Sequence, residues 1–147
     1  MIEKITEVEY KRRYVIGLDT GCNTGFAIWD RQEQMLIECY SVMIHQAFEL
    51  VLKYRHECFV RVEDARLRKY ITGGREKLQG AGSIKRDAKI WEDFLTDKNI
   101  PFEMVAPKNN RTKLSAEAFK KLTGFKGKTN EHARDAAMLV FGFNKNI

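Results

Sequence analysis

The sequence predicts a mixed α/β fold in which an antiparallel meander of three strands continues into crossover units. Two observations carry this. Three apolar, β-branched runs follow one another through tight connections, and helical and strand-like periodicities alternate after them. The meander reads from residues 13–20, 24–32 and 34–42, joined through Gly21–Asn23 and the polar Arg31–Gln34 stretch. In MIHQAFELVLKYR, the residues Ile44, Ala47, Phe48, Val51 and Tyr54 recur at helical spacing, so one helix face packs on the sheet. CFVRVE, residues 58–63, returns as a fourth strand. The stretch TGGREKLQGAGS is rich in glycine and charge and reads as irregular. A second helix is expected over Ser83–Lys98, with Ser83 as its N-cap and Ile84, Ala88, Trp91 and Leu95 as its apolar stripe. IPFEMVAP is a fifth strand closed by Pro107, SAEAFKKLTG a short helix ended by Gly124, and NEHARDAAMLVFGF a last helix started by Thr129 or Asn130. The expected sheet is therefore five-stranded: three meander strands plus two parallel ones, flanked by helices.

Composition narrows the class. A chain of 147 residues with 44% hydrophobic content fits one compact domain, residues 1–147. The N-terminal MIEKITEVEYKRR lacks a signal-type apolar core, and AAMLVFGF is far too short to cross a bilayer, so no membrane is expected and a cytoplasmic location is. Cys22, Cys39 and Cys58 form no CxxC pair and leave an odd count, so buried free thiols are expected rather than disulfides or a zinc site. The formal charge of +6 is modest but clustered. One basic group comprises Arg66, Arg68, Lys69, Arg75, Lys77, Lys85, Arg86 and Lys89, with Tyr70 in the same stretch; the second comprises Lys108, Arg111, Lys113, Lys120, Lys121, Lys126 and Lys128. Basic clusters on loops and adjoining helices suit a polyanion held by its phosphates.

Two strands end on carboxylates. VIGLD closes on Asp19 and CFVRVE on Glu63. In a sheet of this order neighbouring strand ends come together, and two unpaired carboxylates there either raise a pKa or recruit a cation. Magnesium, which prefers hard oxygen ligands and keeps waters, is the natural partner. On the last helix, Ala133, Ala136, Ala137, Val140 and Phe141 make an apolar stripe of mostly small residues that allows close approach to the sheet. His132 and Asp135, three apart, project from nearly the same face. Each has an ordinary reading as well, since a histidine caps and an aspartate suits a helix N-terminus.

Taken in order, IGLDTGCNTGFAIWD, FVRVED, the GAGSIKRDAKIWEDFL helix and HARDAAML resemble a RuvC-type Holliday-junction resolvase of the RNase H-like superfamily, a short phage or bacterial version. The resemblance covers nearly the whole chain. The first motif matches the family's leading aspartate and following TG, the second its glutamate after the fourth strand, and HARDAA its final pair, two aspartates or a histidine and an aspartate three apart. It implies an RNase H-like fold and a homodimer acting on four-way DNA junctions in recombination. Paired nicks would leave 5′-phosphate and 3′-hydroxyl ends. Two Mg²⁺ or Mn²⁺ ions would be held by Asp19, Glu63, His132 and Asp135, and histidine among the ligands favours manganese more than an all-carboxylate set would. Family members stack an aromatic on a base at the crossover; here Arg66 stands near the matching position and Tyr70 is the first aromatic after it. The Ile84–Leu95 stripe serves either as core or as dimer interface.

Three other readings stand beside this one. DTGCNTG is also similar to the phosphate-binding turn of the actin and sugar-kinase fold, which needs two such domains. A non-catalytic nucleic-acid-binding domain would keep the basic surface without using the quartet. A nuclease of the same fold acting on RNA, flaps or single strands would use both.

Overall fold

The computed structural model describes residues 10–67, 75–107 and 113–147, with the backbone alone over 75–81. Among these residues five strands form one sheet: β1 (Tyr14–Asp19), β2 (Asn23–Asp30), β3 (Met35–Met43), β4 (Cys58–Glu63) and β5 (Phe102–Val105), in the order β3-β2-β1-β4-β5. β1–β2 and β2–β3 pair antiparallel, whereas β1–β4 and β4–β5 pair parallel. Helices α1 (Ile44–Lys53), α2 (Arg75–Asp97), α3 (Ala116–Thr123) and α4 (Glu131–Met138) flank it. The expected meander with two added parallel strands is the observed one. No helix among the described residues is long and apolar enough to cross a membrane.

Strand alternation divides the core into two layers. Ile16 and Leu18 of β1, Phe26 and Ile28 of β2 and Val60 and Val62 of β4 face Ala47 and Val51 of α1 and Trp91 and Leu95 of α2. Val15, Ala27 and Trp29 face Phe119 of α3 and the alanines Ala133, Ala136 and Ala137 of α4. Because α4 presents alanines, its backbone lies directly on the sheet. A Cβ at Gly17 would come within 2.2 Å of the Ala136 carbonyl oxygen, and one at Gly25 within 2.0 Å of the His132 carbonyl oxygen. Glycine at both positions is thus a condition of this packing.

The meander is fastened at its far end by Asp30, which binds the Arg13 guanidinium through both oxygens at 3.0 and 2.8 Å and accepts the backbone N–H groups of Gln32 and Glu33 in the β2–β3 turn. On β4, Arg61 donates to the Leu139 carbonyl beyond α4 and pairs with Glu103 of β5 at 2.5 Å, tying helix and sheet together.

Two expectations about α2 are corrected. Its backbone is helical from Arg75, so Arg75–Gly82 is not irregular and Ser83 lies inside the helix instead of capping it. The run REKLQ consists of good helix formers and carries the helix through the glycines at 80 and 82, each of which costs about 1 kcal/mol relative to alanine. The stripe considered as a dimer interface is core: Ala88, Trp91 and Leu95 are fully buried, with Trp91 packed against the Phe48 ring at 4.3 Å, and only Ile84 is exposed. The last helix is shorter than its apolar pattern; α4 ends at Met138, and a turn through Gly142 carries Val140 and Phe143 into the same core. Cys39 and Cys58 are buried as expected, whereas Cys22 is exposed.

Trp91→Ala should lower the free energy of unfolding by about 3–5 kcal/mol, the usual result of emptying a buried aromatic site. Denaturant titration measures this; a loss well under 1 kcal/mol would mean that α2 does not seat on the sheet.

Candidate active site

Register and alternation assemble the site. β1 and β4 run parallel with Leu18 beside Val62, so the next residues, Asp19 and Glu63, end the two strands side by side. Alternation sends Asp19 to the face of Gly17, under α4, and Glu63 to the face of Phe59 and Arg61, which also meet the α4 side. Asp64, one residue further, falls on the opposite face. It is 2% exposed and holds Arg66 through paired bonds of 2.9 and 2.8 Å, while Arg66 reaches on to Glu92 of α2 at 3.1 Å. Two adjacent acids therefore have different tasks: Glu63 faces the α4 side, and Asp64 anchors the chain after β4 to α2.

α4 supplies the rest. Asn130 caps it by accepting the Ala133 N–H at 2.9 Å, which sets the first turn over the end of β1. His132 Nδ1 then lies 3.1 Å from Asp19 Oδ2. Asp135, on the next turn, faces the Lys113 ammonium at 3.3 Å, and Lys113 also pairs with Glu131. Burial pushes the Asp19 carboxyl above the usual carboxylate range; the hydrogen bond from His132 opposes that, the Asp135 charge adds to it, and Lys113 offsets part of it. A carboxylate under this strain gains from a cation.

Among the described residues, no three His, Cys, Asp or Glu side chains are gathered closely enough to hold a metal ion as they lie. His132 is bonded to Asp19, while Asp135 is turned to Lys113. The donor set itself, three carboxylates and an imidazole on one face, fits Mg²⁺ or Mn²⁺. Glu63 has an interaction of its own.

The basic residues named from the sequence divide. Arg66 points inward to Asp64 and Glu92, and Lys113 pairs with the acids of α4. Lys85 and Arg86 on α2 and Lys128 before α4 are exposed. Arg68, Tyr70, Lys108 and Arg111, and the side chains of Arg75 and Lys77, lie outside the described residues. Sequence reasoning missed the Asp64–Arg66–Glu92 cluster and the amide side chains of Gln46 and Asn130 beside His132. The period-two pattern of CFVRVED carried the first signal, since 59, 61 and 63 share one face and 64 cannot.

Two expectations test this geometry. Burial alone would raise the Asp64 carboxyl, but the Arg66 bonds outweigh it and hold the pKa below its ordinary 3.8. A depressed pKa stabilises the fold above the unfolded value and loses that contribution as pH falls through the folded one. Asp64→Asn should thus cost about 2 kcal/mol at pH 7. The gap from the wild type should begin to close below about pH 4, as read by denaturant titration across pH; a gap independent of pH would contradict the pairing. Gly25→Ala should cost about 1–3 kcal/mol by forcing α4 off the sheet, and an unchanged denaturation midpoint would mean that the helix is not seated there.

No protein-family model matches the chain, and no curated protein sequence does. Among solved structures, the RuvC of T. thermophilus in complex with a Holliday junction substrate superposes with a TM-score of 0.58 at 15% sequence identity, covering 87% of this chain and 90% of that one. The sheet order, its two parallel pairings and the flanking helices are those of an RNase H-like α/β fold, and the chain shares the RuvC-like form of it.

Proposed function

We propose that this chain is a divalent-metal-dependent endonuclease that cuts branched DNA, with the four-way junction as its substrate and paired nicks leaving 5′-phosphate and 3′-hydroxyl ends. The observation that supports this reading is Asp19 at the end of β1, beside the end of β4 that carries Glu63, with His132 Nδ1 of α4 3.1 Å from the Asp19 carboxylate. The fold shared with a RuvC captured on a Holliday junction supports the choice of substrate.

Asp19, Glu63, His132 and Asp135 would hold Mg²⁺ or Mn²⁺, two ions in all, and the ions when bound supply activation of the attacking water and charge stabilisation at the leaving 3′-oxygen. Asp19 is central because it lies between β4 and α4 and touches His132 directly. Asp135, which contacts Lys113 at 3.3 Å, would hold a cation by giving up that contact, and the Lys113 ammonium would then be available to a phosphate oxygen. Lys85, Arg86 and Lys128 are exposed and would hold the flanking backbone; Arg68, Arg75, Lys77, Lys108, Arg111 and the aromatic Tyr70, read from the sequence, would add to them. A four-way junction has near two-fold symmetry, so a homodimer presenting two sites fits it. The whole chain, 1–147, acts as one nuclease domain within the cytoplasm.

The test separates chemistry from binding. Asp19→Asn keeps the shape and removes the charge, so junction cleavage should fall by roughly a thousandfold or more, while junction affinity is retained. Synthetic four-way junctions run beside duplex, flap and RNA substrates of the same sequence measure both. Normal cleavage by Asp19→Asn would overturn the reading, and preference for RNA or flaps would replace the junction with that substrate.

A further inference from the structure

Arg134 lies on α4 between Ala133 and Asp135, and its side chain is half-buried. The nuclease reading gives it no task. A cation this close to a helix N-terminus gains nothing from the macrodipole, so its own helix does not account for it. Its contacts do. Nε donates to the Leu114 carbonyl at 3.1 Å, and Nη1 donates to the Thr129 carbonyl at 3.1 Å and to the Thr129 hydroxyl at 3.2 Å. The planar fork of a guanidinium serves such divergent acceptors at once, which a single ammonium does not. Leu114 precedes Ser115, the cap of α3, and Thr129 precedes Asn130, the cap of α4, so one side chain fixes the starts of both helices relative to each other.

The residue before Leu114 is Lys113, whose ammonium pairs with Glu131 and Asp135, neighbours four apart on one face of α4. The Lys113 side chain is 62% exposed. Ion pairs that open to water are too weak to order a long, flexible stem by themselves. Order at Lys113 therefore comes from the main chain next to it, which the Arg134–Leu114 bond ties to α4 and which the Leu114 side chain, packed against the α4-side core, supports. We propose that Arg134 is a positioning residue for cleavage: by holding the Leu114 main chain to α4, it keeps the Lys113 ammonium beside Asp135, placed to meet a phosphate oxygen of the strand being cut. Arg134 acts through Lys113 and does so without touching DNA. This rests on the nuclease reading above and adds to it the residue that places its cation.

A double-mutant cycle provides the test, with Arg134→Gln, Lys113→Ala and the two combined assayed for cleavage of a four-way junction at saturating enzyme. Each single variant should slow cleavage about tenfold. The combined variant should be no more than about twofold slower than the slower single one, because both changes remove the same contact; a merely structural Arg134 would give losses that multiply. Arg134→Lys keeps the charge but not the fork and runs through the same cycle, so a failure of Arg134→Gln to fold does not decide the matter. Amine labelling read by mass spectrometry follows the placement without any DNA: relative to the exposed Lys85, Lys113 should react about threefold faster in Arg134→Gln than in the wild type. Multiplied losses, wild-type cleavage by either single variant, or unchanged labelling of Lys113 would overturn the assignment and leave the nuclease reading standing. A wild type that cuts no DNA would overturn the nuclease reading and the cleavage role with it, whatever the labelling shows.

Discussion

Helix α4 can lie on β1 and β2 only because Gly17 and Gly25 have no side chains, and the site depends on that contact. Any Cβ there would meet a carbonyl oxygen of the helix at 2.0–2.2 Å. The alanines at 133, 136 and 137 complete the fit from the other side. The consequence is chemical as well as structural: the approach lowers His132 onto Asp19 and brings Asp135 into the electrostatic surroundings of the same carboxylate. A bulkier interface would keep the fold class and lose the juxtaposition.

A second constraint acts through strand alternation. Glu63 and Asp64 are neighbours in the chain, and the half-turn between them assigns one to the α4 face and the other to α2. Asp64 is neutralised by Arg66 and contributes stability. Asp19 is the reverse case, a carboxylate that burial and a like charge make costly to ionise. Proteins tolerate such local cost where it serves a site. Lys113, paired with Asp135 and Glu131, offsets part of it through its charge.

Much of this was legible in the sequence because it is written in local periodicities. The strand runs ending on Asp19 and Glu63, the helical spacing through Phe48 and Val51, and the His132–Asp135 pair each follow from period two or 3.6, and the meander with two added parallel strands follows from the tight connections and the alternation of strand and helix. What was not legible depends on partners distant in sequence. Trp91 belongs to the core because Phe48 waits across the layer, whereas the helix over Arg75–Gly82 was missed for a local reason, the helix formers of REKLQ outweighing the glycines. Arg66 reads as a surface cation until Glu92, 26 residues away, appears beside it.

The role proposed for Asp19, Glu63, His132 and Asp135 is to hold a divalent cation. Anomalous diffraction from crystals soaked in Mn²⁺ tests it most directly. A manganese peak is expected within coordination distance of the Asp19 carboxylate, shared with Glu63 or with the α4 pair, and is expected to be lost in Asp19→Asn. A peak that persists in Asp19→Asn, or manganese bound only elsewhere on the protein, would rule out a cation site built on Asp19.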